Sequence, residues 1–428
     1  MSIILRKYIK RTIDSELEEL LVSLPSVLIE GPKAVGKTES AKRLALSKKQ
    51  LDSPSLIEVG KSDATALLTG EKPILIDEWQ RVPEVWDAIR REIDISSEPN
   101  QYILTGSAGP KNPPTHSGAG RIVSVRMRPL SLFERQITTP TISLSNLLEG
   151  KKGRLEGETK VNLIDYVSEI VKSGFPGLRH LSGRPLRAQL EGYINRIIDQ
   201  DFKDHGLNTR NPEAIKRWMR AYAAATSTTS SYETIRDAST SGEASKPSKS
   251  TLIPYREVLE RLWVLDPVPA WLPNNNQLGA LAHPPKHHLA DPALSVQLLG
   301  LDAKALLEGD ESNVVFPRNG TLLGHLFESL VTLSVRVAAQ QSEAKVKHLR
   351  TARGKQEVDL IVERRDQKVL AIEVKLNSKV DSNDVKHLLW LKKKLGQDLL
   401  DAIIINTGPI AYRRPDGIGV IPAALLCE

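Results

Sequence analysis

The sequence predicts an α/β protein with a parallel N-terminal sheet, a helical middle region and a small C-terminal α/β domain. Three observations predict this order. Strand-like and helix-like segments alternate over residues 1–137, as in parallel sheets. A glycine-rich loop lies between the first strand and the next helix. Near the C-terminus, two strands and a helix–strand pair follow an amphipathic helix.

The glycine-rich loop carries the first functional motif. Residues 31–38 read GPKAVGKT, the complete G-x-x-x-x-G-K-[ST] pattern of a phosphate-binding loop. An apolar strand precedes it and a helix is predicted over residues 39–47, so backbone N–H groups and the helix dipole would face a phosphate. Lys37 would reach the β- and γ-phosphates, and the Thr38 hydroxyl would hold Mg²⁺. The predicted nucleotide-binding residues are Gly31, Pro32, Lys33, Ala34, Val35, Gly36, Lys37, Thr38 and Glu39.

Two further strands end in polar side chains suited to an NTPase site. The strand ILIDE ends in Asp77, which would hold the Mg²⁺ shell, and Glu78, which would polarise the attacking water. The strand YIL is followed by Thr105 and Ser107, either of which can sense the γ-phosphate or position the water. In this order the motifs predict a P-loop NTPase domain over residues 1–137 that hydrolyses a nucleoside triphosphate with Mg²⁺.

The other elements of this half follow from periodicity and composition. Helices are predicted over residues 14–23 and 84–92. Residues 108–120 are rich in Gly, Pro and Ser and predict a mobile loop, and a strand over 121–125 follows. Residues 138–162 are polar and predict a linker or an exposed insertion.

Composition bounds the function. A chain of 428 residues predicts two or three domains, and a net charge of +7 is compatible with nucleic acid without requiring it. The one cysteine, Cys427, excludes a disulfide within the chain and fits a reducing cytoplasm. We expect no signal peptide and no apolar stretch of the ~18 residues that a membrane helix needs. The protein is therefore predicted to be soluble and cytoplasmic.

Residues 163–271 are largely helical in pattern, with helices predicted over 166–173, 186–202, 212–225 and 250–262. The last two helices and a following strand are compatible with a winged-helix fold, which can bind DNA through its last helix. Few basic residues cluster on that helix, so a module that packs only against its own chain is the favoured alternative.

A loop rich in Pro, Asn and His follows at residues 272–288. It carries His283, His287 and His288, and three histidines invite a zinc hypothesis. No nearby Cys or Glu completes such a site. We therefore expect these histidines to be solvated.

The C-terminal domain, predicted over residues 272–428, contains a second chemical pattern. Glu328 lies on an amphipathic helix, Asp359 on the next predicted strand, and Glu373 and Lys375 on the strand after it. Paired carboxylates with a lysine are suited to metal-assisted phosphodiester cleavage. The predicted α-β-β-β-α-β order matches the core of restriction-endonuclease-like folds. A surface Glu/Lys pair on an alternating strand is the alternative interpretation.

These motifs together resemble one bacterial and archaeal family, in which an N-terminal AAA-type ATPase domain is joined to a C-terminal domain of unknown function, DUF4143. The resemblance implies ATP use and suggests that an arginine stabilises the γ-phosphate, for which Arg121 is our candidate and Arg126 and Arg128 are rivals. Trp79 departs from the aliphatic residue usual in the family. The segments that carry the resemblance are residues 31–38, 76–80, 104–107, 120–121, 128–131, 174–176, 289–292, 324–328, 356–359 and 373–375.

Three functional hypotheses follow. The first is an Mg²⁺-dependent ATPase whose nucleotide state controls the posture of the C-terminal half. The second adds an ATP-controlled DNA or RNA nuclease at the C-terminal carboxylates. The third is a nucleotide-controlled switch whose C-terminal domain binds nucleic acid or protein without cleavage. A homo-oligomer is compatible with all three.

Overall fold

The described residues form two large β-sheets, of five and seven strands, and a small two-stranded one, and most of the helices lie between the two large sheets in sequence. The structure, a computed structural model, describes residues 8–107, 119–151, 155–204, 206–207, 211–240, 249–272, 283–308, 322–351 and 354–428, with 249–252 as backbone only. Most of the loop predicted at 108–120 therefore lies outside the described residues.

The N-terminal domain is the predicted α/β layer with a parallel sheet. Its elements are α1 (Thr12–Ser23), β1 (Ser26–Glu30), α2 (Lys37–Leu44), β2 (Ser47–Gln50), α3 (Pro54–Ser62), β3 (Ile74–Asp77), α4 (Glu84–Ile95), β4 (Tyr102–Gly106) and β5 (Ile122–Arg126).

The five strands run parallel in the order β2-β3-β4-β1-β5. β1, β3 and β4 are buried along nearly their whole length because helices cover both faces of the sheet. Thr105 lies directly beside Asp77 on one side and Ile29 on the other, so the predicted motifs meet at the carboxyl edge. The helix predicted over residues 39–47 is shorter than expected, because Ser47 begins the edge strand β2.

The middle region is helical, as predicted, and builds its own core around Phe202, Trp218 and Tyr222. A π-helical turn over Ile197–Asp201 interrupts the long predicted helix. The final helices are followed by an antiparallel hairpin with isolated bridges Leu265↔Leu289 and Val268↔Lys286. The helices between the two large sheets in sequence are α5 (Leu144–Leu148), α6 (Leu163–Lys172), α7 (Gly183–Arg196), α8 (Phe202–Asp204), α9 (Pro212–Ala224), α10 (Tyr232–Ser239), α11 (Lys249–Arg261), α12 (Pro292–Leu299) and α13 (Ala303–Glu308).

The C-terminal domain contains a mixed sheet in the order β7-β12-β13-β11-β10-β9-β8. Its helices α14 and α15 cover opposite faces of this sheet, since α14 packs into one apolar cluster and α15 into another. The order α14-β8-β9-β10-α15-β11 matches the predicted α-β-β-β-α-β core. The elements are β6 (Ile142–Ser143), β7 (Gly157–Glu158), α14 (Leu322–Gln341), β8 (Lys345–Arg350), β9 (Glu357–Glu363), β10 (Val369–Val374), α15 (Lys386–Leu395), β11 (Leu399–Asn406), β12 (Ile410–Arg413), β13 (Gly419–Pro422) and β14 (Leu426–Cys427).

The segment predicted as a linker or exposed insertion at residues 138–162 packs on the C-terminal domain. β6 pairs with β14 and β7 pairs with β12. Leu144, Leu147 and Leu148 lie in the same apolar cluster as α14. The polar composition of this segment led to the prediction of an exposed linker, but its three leucines are buried against the C-terminal domain, which is distant in sequence.

α14 is the one helix among the described residues that is long and apolar enough to cross a membrane. This helix departs from the expectation that no apolar stretch of the sequence is long enough to span a membrane. Of its most apolar window, 78% is buried inside the fold, with Leu326, Phe327 and Leu330 fully enclosed. Its apolar character is that of a core helix.

Candidate functional site

The loop between β1 and α2 has the backbone of a phosphate cradle. Gly31 has φ +154° and Gly36 has φ +108°, conformations that side chains other than hydrogen rarely allow. A Cβ at Gly31 would lie 2.2 Å from the Met127 carbonyl oxygen, so the loop is held against the chain that follows β5. Arg11 supports it from beneath, donating through Nη1 to the Val35 carbonyl oxygen at 2.9 Å.

Lys37 lies inside this cradle. Its Nζ donates to the carbonyl oxygens of Gly31 and Pro32, each at 2.9 Å. Burial lowers the pKa of Lys37 to about 8, against the opposing pull of Glu78 and Asp77. Its ammonium is bound only to neutral groups among these contacts, so a phosphate anion would be a better partner than the carbonyls it now contacts.

The three motifs converge on one carboxylate. Asp77 Oδ1 accepts a hydrogen bond from Thr38 Oγ1 at 2.8 Å and another from Thr105 Oγ1. These oxygens match Mg²⁺, which takes hard oxygen ligands and keeps several waters. Thr38 and Asp77 would hold the ion, and the ion would neutralise charge on the phosphates.

Glu78 follows Asp77 in the left-handed backbone region, with φ 57° and ψ 45°. Its N–H donates to Thr105 Oγ1 at 3.3 Å, and its Oε2 accepts from Gln80 Nε2 at 2.6 Å. Ser107 is buried just after β4. Trp79 points into the core and packs on Trp86 at 4.7 Å between ring centroids, and its indole also closes over Gly106.

Arg121 does not join this group. It precedes β5 at the amino edge of the parallel sheet, where its carbonyl accepts from Ser26, the first residue of β1. Its side chain pairs with Asp94 at 2.8 Å. The candidate is therefore wrong as an arginine acting on the loop of its own chain, because that loop leaves the opposite edge.

The rival arginines lie at the correct edge, but both are paired. Arg126 Nη1 lies 3.0 Å from Asp266 Oδ1, and Arg128 Nε lies 2.9 Å from Asp266 Oδ2. Arg336 of α14 joins the same carboxylate at 2.7 Å. Although burial opposes ionisation, these three guanidinium groups hold the pKa of Asp266 below its usual range.

The C-terminal candidates also gather, around a lysine that the sequence analysis missed. Lys286 Nζ lies 2.8 Å from Glu328 Oε1 and 2.9 Å from Asp359 Oδ1. Asp359 Oδ2 accepts from the N–H of Val374 at 2.9 Å, which ties β9 to β10. Glu373 lies beside them with its Oε1 bound to Lys375 Nζ at 2.8 Å.

Electrostatics in this C-terminal cluster are dominated by burial and by Lys286. Burial, and then the charge of Asp359, raises the pKa of both Glu328 and Glu373 to about 8. Burial acts in the same direction on Asp359, but Lys286, the Val374 N–H and Lys375 together outweigh it and lower that pKa. The cluster therefore holds much less negative charge than three exposed carboxylates would.

A metal fits this cluster poorly. Among the described residues, no group of three His, Cys, Asp or Glu side chains has the arrangement to hold a metal ion. The ammonium of Lys286 contacts two of the three carboxylates directly, and its side chain is 1% exposed. The predicted residues are brought together, but a lysine lies between those two carboxylates.

The histidines of the preceding loop are a second departure from prediction. His287 and His288 are buried, not solvated, and His287 packs against Tyr222 and Tyr232. They point into the helical core because the hairpin strand that carries Lys286 runs through it. No pattern in the sequence distinguishes Lys286 or Asp266 from surface charges.

Comparison with known proteins divides the chain into the same three parts: the N-terminal domain, the middle region and the C-terminal domain. The model of an AAA domain matches residues 24–136, a domain of unknown function (DUF8612) matches 164–305, and the domain of unknown function DUF4143 matches 323–426. The first match and the phosphate loop together define an AAA-type P-loop domain. The chain thus joins an N-terminal AAA domain to a C-terminal DUF4143 domain.

Individual relatives are distant. Uncharacterized proteins of Mycobacterium bovis and Mycobacterium tuberculosis are 23% identical over 305 residues, which is 70% of this chain and 62% of each relative. The chain thus spans less than two thirds of the length of these curated relatives. A Walker-type ATPase of Pyrococcus abyssi is 17% identical, covering 69% of this chain and 98% of that one with a TM-score of 0.37.

Proposed function

We propose that the protein is an Mg²⁺-dependent ATPase whose nucleotide state controls the posture of its C-terminal half. The observation that carries this proposal is that the phosphate loop and the chain after β5 are both ion-paired to the middle region. A change at the phosphates would therefore be felt directly outside the ATPase domain.

The first connection starts in the loop itself. Lys33 Nζ lies 2.5 Å from Asp201 Oδ1, and Tyr193 Oη donates to the Lys33 carbonyl oxygen at 3.4 Å. Asp201 ends the π-helical turn, a feature found often at functional positions. A triphosphate would compete with Asp201 for the Lys33 ammonium, so binding would loosen this contact.

The second connection joins three regions at one carboxylate. Asp266 belongs to the middle region, Arg126 and Arg128 to the ATPase domain, and Arg336 to α14. Arg128 follows Met127, whose carbonyl touches Gly31. Movement of the loop would thus be transmitted from Arg128 through Asp266 to Arg336 on α14.

Hydrolysis would use the group at the sheet edge. Lys37 would bind the β- and γ-phosphates, and Thr38 and Asp77 would hold Mg²⁺. Glu78, oriented by Gln80, would accept a proton from the attacking water. Thr105 or Ser107 would report the γ-phosphate. The remaining residues of the loop, 31–36 and Glu39, would shape the cradle and the helix start, and all of them except Pro32 would supply backbone N–H groups.

For the C-terminal domain, the position of Lys286 favours the switch hypothesis over the nuclease hypothesis. Metal-assisted cleavage needs carboxylates free to take a cation, and two of them are bound to Lys286. We therefore propose a domain that binds nucleic acid or protein without cutting. A cytoplasmic location and assembly into homo-oligomers remain part of this proposal.

The coupling is testable by hydrogen exchange with and without Mg²⁺ and a non-hydrolysable ATP analogue. We expect nucleotide to change exchange in residues 197–204, 258–268 and 326–340. Asp266→Asn should keep nucleotide affinity and lose the change in 326–340. Asp94→Asn is the matched control, since Asp94 also bridges two arginines but only within the ATPase domain. If nucleotide binds but hydrogen exchange in these distant segments does not change, the proposed coupling is contradicted, whereas the assignment of the nucleotide site is not.

A further inference from the structure

We propose that Lys286 takes the place of a divalent cation in the C-terminal cluster, and that loss of its charge opens a latent site for such a cation. The inference goes beyond ATP use and assigns a role to a residue in none of the motifs. It rests on the position of the ammonium, its confinement, and the oxygens that surround it.

The position of the ammonium is that of a bridging cation. Lys286 Nζ contacts one oxygen of Glu328 on α14 and one oxygen of Asp359 on β9. Helix and strand therefore present their carboxylates to a common point, as ligands do to a metal. At this point the ammonium supplies one positive charge and directed N–H donors. A divalent cation would supply two positive charges and further coordination positions.

Confinement keeps the lysine in place. The Lys286 N–H donates to the Val268 carbonyl and its own carbonyl accepts from the Val268 N–H, both at 2.9 Å. The nearest further carboxylate is Glu357, whose Oε1 is 3.8 Å from Nζ. Withdrawing the ammonium from both close partners would leave a buried charge poorly paired, which is costly.

The surrounding oxygens supply the latent site. Removing the ammonium frees Glu328 Oε1 and Asp359 Oδ1. Glu373 Oε2 lies in the same buried cluster and has no hydrogen-bond partner among the described residues. The two freed carboxylate oxygens, with Glu373 in the same cluster, are hard donors of the kind that Mg²⁺ or Mn²⁺ prefers.

The test uses the full chain without nucleotide and Mn²⁺ as the probe. Lys286→Met keeps the length of the side chain and removes its charge. We expect this variant to melt below the parent, and Mn²⁺ to raise its Tm by at least ~4 °C. Mn²⁺ should move the parent by less than ~1 °C. The matched control Lys286→Met/Asp359→Asn, with the ATPase loop intact, should lose the rescue. A folded Lys286→Met variant that Mn²⁺ does not stabilise would overturn the latent site.

The parent chain provides a test that does not depend on the folding of that variant. Electron paramagnetic resonance of Mn²⁺ counts bound ions, and any ion at the C-terminal cluster should depend on Asp359. We expect Asp359→Asn to leave Mn²⁺ binding by the parent unchanged. Loss of one bound ion in Asp359→Asn would show that the parent cluster already takes metal, and the proposal would fail.

Discussion

The ATPase site and the C-terminal cluster use the same residue types in opposite ways. Lys37 donates to two backbone carbonyls, while Asp77 accepts from two hydroxyls. At the other end, Lys286 contacts two carboxylates directly. In the ATPase site, the lysine and the carboxylate each bind neutral groups. In the C-terminal cluster, the lysine and the carboxylates form ion pairs with each other.

The difference teaches how a polar site is kept ready for a ligand. Neutral partners can be exchanged for phosphate and Mg²⁺ because the charged ligands offer stronger contacts. A buried ion pair resists exchange, since breaking it leaves charge uncompensated. Substitutions in the first site should thus affect chemistry, and substitutions in the compensated clusters should affect stability.

The largest effect is expected at the ATPase site. Lys37→Ala should lower ATP hydrolysis at least ~100-fold, because its charge stabilises the transferring phosphoryl group. Lys42→Ala on the same helix is the matched control, since the ion pair of Lys42 among the described residues is with exposed Glu39. A steady-state phosphate-release assay compares them. Hydrolysis at the parent rate in Lys37→Ala would remove this loop from the mechanism.

The next effect should fall on stability at the junction of the three regions. Asp266→Asn leaves Arg126, Arg128 and Arg336 without their shared carboxylate. Since that carboxylate is buried, we expect unfolding free energy to drop by about 3–5 kcal/mol. Urea denaturation measures the loss.

The control for that prediction is the exposed bridge between Arg121 and Asp94. Asp94→Asn should cost less than ~1 kcal/mol, because solvent screens both partners. Equal losses in the two variants would mean that Asp266 is no more than another surface pair.

A smaller effect should appear at low pH, next to the C-terminal cluster. Burial lowers the pKa of His348 to about 4, and Lys286 adds to the shift. An unfolded histidine takes up its proton near pH 6.5, so the unfolded state binds more protons below that value and stability falls as pH drops towards 4. The loss should reach about 3 kcal/mol for this residue.

His348→Gln provides the comparison, because the amide can still donate to the Pro284 carbonyl oxygen that Nε2 contacts. The difference in unfolding free energy between parent and variant should change between pH 6.5 and 4 and stay flat above it. A pH-independent difference would mean that His348 titrates normally in the folded chain.

The smallest effect is expected for Arg121→Ala. Because Arg121 lies at the amino edge of the sheet, ATP hydrolysis by single chains should stay within ~2-fold of the parent. The assay is run over a dilution series. A tenfold loss that appears only at high protein concentration would instead show that Arg121 acts on a neighbouring copy in a homo-oligomer.

Local sequence predicted most of the ATPase domain. The loop, the strand ending in Asp77 and the strand ending before Thr105 each carry their signal in consecutive residues. Parallel strands necessarily bring such ends to one edge. The same reasoning did not place Arg121, because the sequence does not show whether the strand after it runs parallel or antiparallel to its neighbours. In a parallel strand, the residue before its start lies at the edge opposite the loop.

The C-terminal half was predictable in part. Alternating and apolar strands indicated the α-β-β-β-α-β core, and the pattern of Asp359, Glu373 and Lys375 marked the cluster. The segment at 138–162 was misjudged because its two short strands exist only by pairing with β12 and β14. Short strands have little signal of their own, since their hydrogen bonds are supplied by distant chain.

The sequence by itself determined the phosphate loop, its two supporting strands and the presence of carboxylates near the C-terminus. Only the tertiary structure decided that Lys286 lies between Glu328 and Asp359 and that Asp266 joins three arginines. A phosphate loop is local because backbone amides of adjacent residues form it. Ion pairs between residues far apart in sequence depend on how the domains fold together, and no short pattern encodes that.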